Sequence, residues 1–244
     1  MSEFMLAIVL FVLIFGAFFA GRILGQVNEK EEPHLSVVQG AALGILGLMM
    51  GFSYSGAMSR FGDRQNVVVN EANSIGTAWM HADLIPETQR GQLRSLLKQY
   101  TNKRIELVHT TGDDESKRIE NALFDLQQQI WDVAVAGVRL SPGSDKLVLT
   151  PLDEVFDQLG TRNSLKTRHI PVAVFVVMVL SAMLSVAMIS YGQARRKMPL
   201  LMPALGLNLL IWAVMWVTID LDLPQQGVIR ISDEPLVEAL RQMK

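Results

Sequence analysis

Four polar side chains follow closely on a long apolar run: Arg64, Asn70, Glu71 and Asn73. The apolar positions around them recur at helical spacing, so all four are expected on one continuing helix. An acid and a base placed just beyond a membrane-like segment can do three kinds of chemistry. They can form a buried ion pair, line an ion path as rings of side chains do in channels, or exchange protons in catalysis.

Catalysis is the least favoured of these interpretations. Glu71 and Asp83 could serve as an acid and a base, but no His, Ser or Cys constellation accompanies them. The chain has no cysteine, and its 4 histidines lie far apart without the paired spacing of a metal site. The sequence therefore predicts no enzyme, no cofactor and no metal site.

A buried ion pair is the favoured interpretation. Packing several helices together forces polar side chains into partnership, because an unpaired buried charge is costly. The expected partner of Glu71 is Arg64 on the same helix, or a base from another helix such as Arg94. The alternative is a vestibule in which Arg64, Glu71 and Asn73 select ions by charge.

The elements that hold these residues follow from the distribution of charge. Hydrophobic residues make up 50% of the 244-residue chain. Four stretches of at least 18 residues contain no Asp, Glu, Lys or Arg, and about that length lets a helix cross a hydrocarbon core of ~30 Å. The first stretch begins without a basic residue and is expected to be a retained anchor. The sequence thus predicts four helices in a lipid bilayer, at residues 4–21, 35–59, 170–194 and 198–219.

The polar middle of the chain shows helical periodicity throughout, and no alternating strand pattern occurs. "DLIP" ends one helix there, a second begins near Glu87, and a third follows "TTGDDES". Thr150 is expected to cap a fourth helix whose first residue is Pro151. The prediction is an all-α fold in which a helical polar domain is inserted between the second and third spans. Its parts are a first transmembrane hairpin (1–59), a helical extramembrane domain (60–169), a second hairpin (170–219) and a polar tail with a short helix (220–244).

Four glycines lie on one face of the second span: Gly40, Gly44, Gly47 and Gly51. Because they have no side chains, another helix backbone can approach closely, and a tight contact inside the membrane is expected. The alternative is that the same small face, repeated around an oligomer, leaves room for a pore. A phosphate-binding loop is excluded because no strand precedes the glycines.

The net charge of -2 and the scattered basic residues predict no nucleic-acid partner. After the last span, Asp220 and Asp222 stand just outside the membrane, and Pro224 and Gly227 fit a turn. The two aspartates suit an exit turn better than they suit half of a cation site.

Several short motifs, taken as a set, resemble the bestrophin-like family of bacterial and plastid membrane proteins. The first is a basic residue followed by an acid and an alanine, and the second is the helix-breaking "DLIP". The third is "LRSLLKQY", and the fourth is the turn after the last span. The residues that carry the resemblance are Arg64, Glu71, Ala72, Asp83, Leu84, Pro86, Leu93, Arg94, Leu97, Tyr100, Asp220, Asp222, Pro224 and Gly227.

Bestrophins are similar in layout and assemble as pentameric anion channels. The resemblance therefore implies a homo-oligomer that conducts small anions, with the second span lining the path and Leu46 and Met50 as pore candidates. A scaffold or regulatory membrane protein without transport is the alternative. The resemblance also implies a bacterial inner (plasma) membrane with a cytosolic central domain and termini. The positive-inside rule does not decide the orientation, because basic residues flank the two sides equally.

Overall fold

The computed structural model describes residues 3–27, 35–110, 112–195, 201–223 and 227–243. These residues form helices and connecting turns, with no strand among them, which confirms the predicted all-α class. The helices are α1 (Glu3–Val27), α2 (Leu35–His81), α3 (Glu87–His109), α4 (Asp113–Arg139), α5 (Asp145–Lys166), α6 (Val172–Arg195), α7 (Leu201–Asp222) and α8 (Glu234–Gln242), and a 3₁₀ turn covers Ala82–Leu84.

Four of these helices, α1, α2, α6 and α7, are long and apolar enough to cross a membrane, which agrees with the four predicted spans. α2 differs from the others because its 47 residues continue past the apolar run through Arg64 and Glu71. No proline interrupts residues 35–81, so nothing removes a backbone hydrogen bond from the helix. α2 gives way to the 3₁₀ turn, and Ile85 then adopts an extended conformation before Pro86, as the residue before a proline prefers.

The chain divides into two compact units. The membrane unit comprises Met1–Phe61 and His169–Ile229, and the helical unit comprises Gly62–Arg168 and Arg230–Lys244. α2 contributes residues to both units. The residues from Arg230 onward, which include α8, belong to the helical unit.

In the membrane unit, α1 packs very closely against α6. A Cβ atom added at Gly21 would stand 2.2 Å from the carbonyl oxygen of Ala187, and one at Gly25 would stand 2.4 Å from that of Tyr191. Ser190 on α6 donates a hydrogen bond of 2.7 Å to the carbonyl oxygen of Phe18. These glycines are four residues apart, so they lie on one face and let the two helix backbones meet.

The close contact expected at the glycines of α2 is not made within the chain. Apart from the adjoining residues and backbone of α2 itself, no atom of the described residues lies within 4 Å of a Cβ built at any of the four positions, and all four are exposed. The reason is that α2 turns a different face, which includes Leu46 and Met50, into the core of the membrane unit. We refer to the exposed face as the glycine seam, which consists of Gly40, Gly44, Gly47 and Gly51.

The helical unit has its own core, formed by the apolar stripes predicted for α3 and α4 together with α5, α8 and the end of α2. The start of α5 was predicted wrongly: it begins at Asp145, so Thr150 and Pro151 lie inside the helix. Pro151 lacks the N–H that would bind the carbonyl oxygen of Leu147. That oxygen lies 2.7 Å from Nδ1 of His81 instead, which compensates for the lost helix bond.

Candidate functional site

A fully buried carboxylate, that of Glu71 on α2, lies inside the helical unit. Nε and Nη2 of Arg104 on α3 donate to its two oxygens, which makes a bidentate ion pair with both side chains 0% exposed. The hydroxyl of Tyr100 donates a third hydrogen bond, 3.0 Å long, to Oε1. Tyr100 and Arg104 are four residues apart on α3, so they reach the carboxylate from the same helix face.

The structure corrects the identity of the expected partner of Glu71. The partner does come from another helix, but it is Arg104 and neither Arg64 nor Arg94. Arg64 donates from Nη2 to the carbonyl oxygen of Arg168 at 2.7 Å and from Nε to that of Leu165 at 3.3 Å. These carbonyls lie at the end of α5, where a cation is favourable because the last carbonyls of a helix have no partner within it.

Arg94 belongs to a separate surface cluster around Asp83. The carboxylate of Asp83 lies 3.0 Å from Nη2 of Arg94 and 3.3 Å from Nη1 of Arg90. The guanidinium of Arg94 also covers the ring of Trp79 at 4.8 Å from its centroid. Because the side chain of Asp83 is 56% exposed, these ion pairs add little stability individually, and they fix the start of α3 beside the "DLIP" segment.

Two further polar side chains lie near the buried ion pair, those of Gln127 on α4 and Arg162 on α5. Burial and the charge of Glu71 raise the pKa of Tyr100, which therefore stays a hydrogen-bond donor. Burial opposes the charge of Arg104, but Glu71 outweighs it and the pKa of Arg104 is raised. Burial lowers the pKa of Arg162 to about 10, and the nearby charge of Arg104 acts in the same direction.

Arg104, Gln127 and Arg162 were not predicted as site residues from the sequence. A signal for Arg104 was present, since it occupies a position in the inward stripe of α3 that runs through Leu97, Tyr100 and Leu107. A charged residue at such a position must have a buried partner.

Both aspartates of the exit turn are engaged within the membrane unit. Asp220 accepts hydrogen bonds from the backbone N–H groups of Val228 at 2.9 Å and Ile229 at 2.8 Å. Asp222 accepts from Nε of Arg60 at 2.9 Å and from the N–H of Ile170 at 2.9 Å. Pro224 lies outside the described residues, and Gly227 is buried. No group of three potential metal-binding side chains occurs in the described part of the chain.

The pore candidates fall into different environments. Leu46 is 1% exposed and Met50 is 9% exposed, both within the core of the membrane unit. Their side chains pack on other helices of the same chain, and the expectation that they line a pore stays a prediction. Glu71 is sealed in its ion pair and does not face a water-filled vestibule, whereas Asn73 is exposed. The glycine seam is the face of the α2 span that is exposed and carries no side chains at these four positions.

Comparisons with known proteins agree on one family. Residues 6–236 match the family model of the Bestrophin-like domain. A crystal structure of a bacterial Bestrophin homolog from Klebsiella pneumoniae, carrying a tryptophan-to-alanine substitution, is similar with a TM-score of 0.73 and 17% identity over 100% of this chain and 96% of that chain. Another structure of a Bestrophin homolog from the same organism, phased with zinc, gives a TM-score of 0.65 and 16% identity over 97% of this chain and 94% of that one.

No curated protein matches the chain. The solved structures show the fold alone, whereas the family match spans nearly the whole sequence. With four apolar helices long enough to cross a bilayer, the chain belongs to the Bestrophin-like family of membrane proteins.

Proposed function

We propose that the protein is a homo-oligomeric ion channel in which the glycine seam of α2 lines the ion path. The exposure of the seam carries this proposal. Each glycine in a helix costs about 0.5–1 kcal/mol relative to alanine, so four of them cost about 2–4 kcal/mol. Nothing packed against the seam within the described chain offsets this cost. A role for the seam outside the single chain would explain why it is present.

The two faces of α2 beside the glycine seam support an oligomer in which copies of α2 surround a central symmetry axis. One face of α2 is buried in the membrane unit through Leu46 and Met50. Another carries large exposed apolar side chains, Ile45 at 59% and Phe52 at 71%, which suit lipid or a neighbouring subunit. Copies of α2 related by cyclic symmetry would direct the same seam toward the axis.

The chemistry of the seam suits conduction of small ions. No Asp, Glu, Lys or Arg occurs in residues 35–59, so a path along the seam has no fixed charge to trap an ion. The exposed hydroxyls of Ser55 and Ser59 lie toward the polar end of the span. Anions are proposed as the permeant ions because bestrophins conduct them. The proposed location is the bacterial inner membrane, with the helical unit and both termini in the cytosol.

Cysteine labelling tests the ion path directly, because the chain has no natural cysteine. Purified protein is reconstituted in vesicles, and chloride flux is measured before and after a charged methanethiosulfonate reagent is added. We expect the reagent to block flux through Gly47→Cys by about tenfold or more, since it places a bulky charge in an uncharged path. Ile45→Cys, nearly at the same depth on the exposed apolar face, is the control and should keep its flux.

Two results would contradict the channel. If the wild-type protein carries no flux, or if its intact particle has the mass of a monomer, the scaffold interpretation takes its place. If both cysteine variants are blocked equally, the path does not follow the seam.

A further inference from the structure

Besides Nε of Arg94 in the surface cluster around Asp83, three buried nitrogen atoms of the helical unit have no hydrogen-bond acceptor among the described residues. They are Nη1 of Arg104, Nε2 of Gln127 and Nη1 of Arg162, from α3, α4 and α5 respectively. Buried donors are nearly always paired, because an unpaired one loses its bonds to water without replacement. Three such donors in one helix bundle require an explanation.

The three side chains lie in the same neighbourhood of the bundle. Arg104 and Tyr100 both bind Glu71. Gln127 lies beside the hydroxyl of Tyr100, and its Nε2 makes no hydrogen bond with any described residue. Arg162 lies near enough to Arg104 for their charges to repel each other. Four neighbouring helices, α2 to α5, thus bring polar groups to one level of the interior.

The charges at this level do not balance. The two guanidinium groups, those of Arg104 and Arg162, are accompanied by the single carboxylate of Glu71. Lys166 and Glu120 lie nearby, but they are 2.5 Å apart and neutralise each other. This level of the bundle therefore carries one positive charge in excess, shared between the fully buried Arg104 and the partly buried Arg162, and a charge removed from water without a counter-charge is destabilising.

We propose that the helical unit holds one small monovalent anion of the chloride class between Arg104, Gln127 and Arg162. Such an ion accepts hydrogen bonds from all three donors and cancels the excess charge. A water molecule would satisfy the donors but leave the charge, and a divalent oxyanion would reverse it. Gln127 also lines a surface cavity of about 580 Å³ with Trp131 and Phe156.

The proposed ion is a structural ligand and does not depend on the proposed conduction. Its site lies in the helical unit, whereas the glycine seam lies in the membrane unit. A variant whose flux is blocked at Gly47→Cys should still bind the internal anion. A protein without flux would likewise leave the internal site intact, so the two proposals can fail separately.

Thermal unfolding in the presence of chloride tests the site. The detergent-purified protein is dialysed into sodium gluconate, whose anion is too large for the interior, and chloride then replaces gluconate at constant ionic strength. A ligand that binds the folded state alone raises the unfolding midpoint, and we expect a rise of about 3 °C at about 150 mM chloride. Arg162→Met and Gln127→Leu should each reduce this rise to below about 1 °C.

Arg118→Met is the matched control, because this arginine lies on α4 with its side chain 80% exposed, and it should keep the full rise. If Arg162→Met does not fold, Gln127→Leu alone decides. A missing rise in the wild-type protein, or an equal rise in wild type and Gln127→Leu, would overturn the proposal. In crystals soaked with bromide, an anomalous peak between the three side chains supports the site, and density for water alone refutes it.

Discussion

The carboxylate of Glu71 and the guanidinium of Arg104 are bound to each other in bidentate fashion, 33 residues apart in sequence and without solvent exposure. This pair joins α2 to α3 inside the helical unit. Removing one partner of a buried ion pair costs more than the pair itself contributes, because the remaining charge stays in the interior. The pair therefore makes the helical unit sensitive to substitution at Glu71.

Glu71→Ala should destabilise the protein by about 3 kcal/mol, because it leaves Arg104 and Arg162 without a buried counter-charge. Arg104→Met should cost less, since Arg162 remains near Glu71 and can neutralise it. The unfolding midpoints of both variants in detergent, compared with wild type, measure the difference. A Glu71→Ala protein as stable as wild type would refute the structural role of this carboxylate.

Loss of the Tyr100 hydroxyl provides a smaller change at the same site. Tyr100→Phe removes one of three hydrogen bonds to Glu71 but leaves both charges paired. We expect a loss of about 1–2 kcal/mol, typical of a hydrogen bond to a charged acceptor. Thermal unfolding again measures it, and a loss as large as that of Glu71→Ala would show that the phenol does more than donate this bond.

The stability contributed by Arg162 should depend on pH in a defined direction. Burial and the charge of Arg104 lower the pKa of Arg162 from the ordinary arginine value to about 10, so between pH of about 10 and that ordinary value the unfolded chain binds more protons than the folded one. Stability due to this group therefore rises with pH across that window, and below pH of about 10 the buried charge is destabilising.

Arg162→Met removes this titration. In gluconate buffer, the variant should be at least as stable as wild type near neutral pH, and its advantage should shrink as the pH rises toward about 11. Comparing the two unfolding midpoints at each pH cancels the contributions of other titrating groups. An advantage that grows with pH would contradict the lowered pKa.

Two sets of glycines should respond differently to a single added methyl group. Gly21→Ala places a Cβ 2.2 Å from a backbone oxygen of α6, so the helices must separate and stability should fall by about 2 kcal/mol or more. Gly44→Ala meets no atom within 4 Å in the described chain. Its folding stability should be unchanged or slightly raised, since alanine is the better helix former. Equal losses in the two variants would contradict this assignment of the close contact.

Membrane topology is also testable by single-cysteine labelling in the cysteine-free chain. Four spans place residues 2 and 116 and the tail after residue 232 on one side, and residues 26 and 193 on the other. Ser116→Cys and Gln193→Cys should therefore react with an impermeant reagent from opposite sides of sealed vesicles. Labelling of both from the same side would require an even number of spans between them and would contradict the four-span topology.

Patterns that depend on local composition predicted the structure well. The four spans and the inward stripes of α3 and α4 follow from hydropathy and helical periodicity, because burial of apolar groups dominates there. The family motifs also led to Glu71 and Tyr100, which do lie together. The partner of Glu71 could not be predicted, since several arginines were compatible with the sequence and only the packing of α3 against α2 selects Arg104.

The glycines likewise show that a sequence pattern does not identify the partner of a helix contact. The spacing at Gly44 and Gly47 correctly identified a small face, but no sequence pattern states which helix meets it. The close approach occurs instead at Gly21 and Gly25, whose partner helix begins about 150 residues later. The start of α5 was missed because Thr150 and Pro151 form a convincing cap locally, whereas Ser144 and Asp145 begin the helix before them.

The contact between α1 and α6 has a consequence for biosynthesis. The Ala187 backbone against which Gly21 packs is synthesised 166 residues after Gly21. At about 5–20 residues per second, the first span waits on the order of 10–30 s in the bilayer before its partner exists. During that interval its glycine face is open to lipid and to foreign helices. The close contact between α1 and α6 can therefore form only after Ala187 has been synthesised.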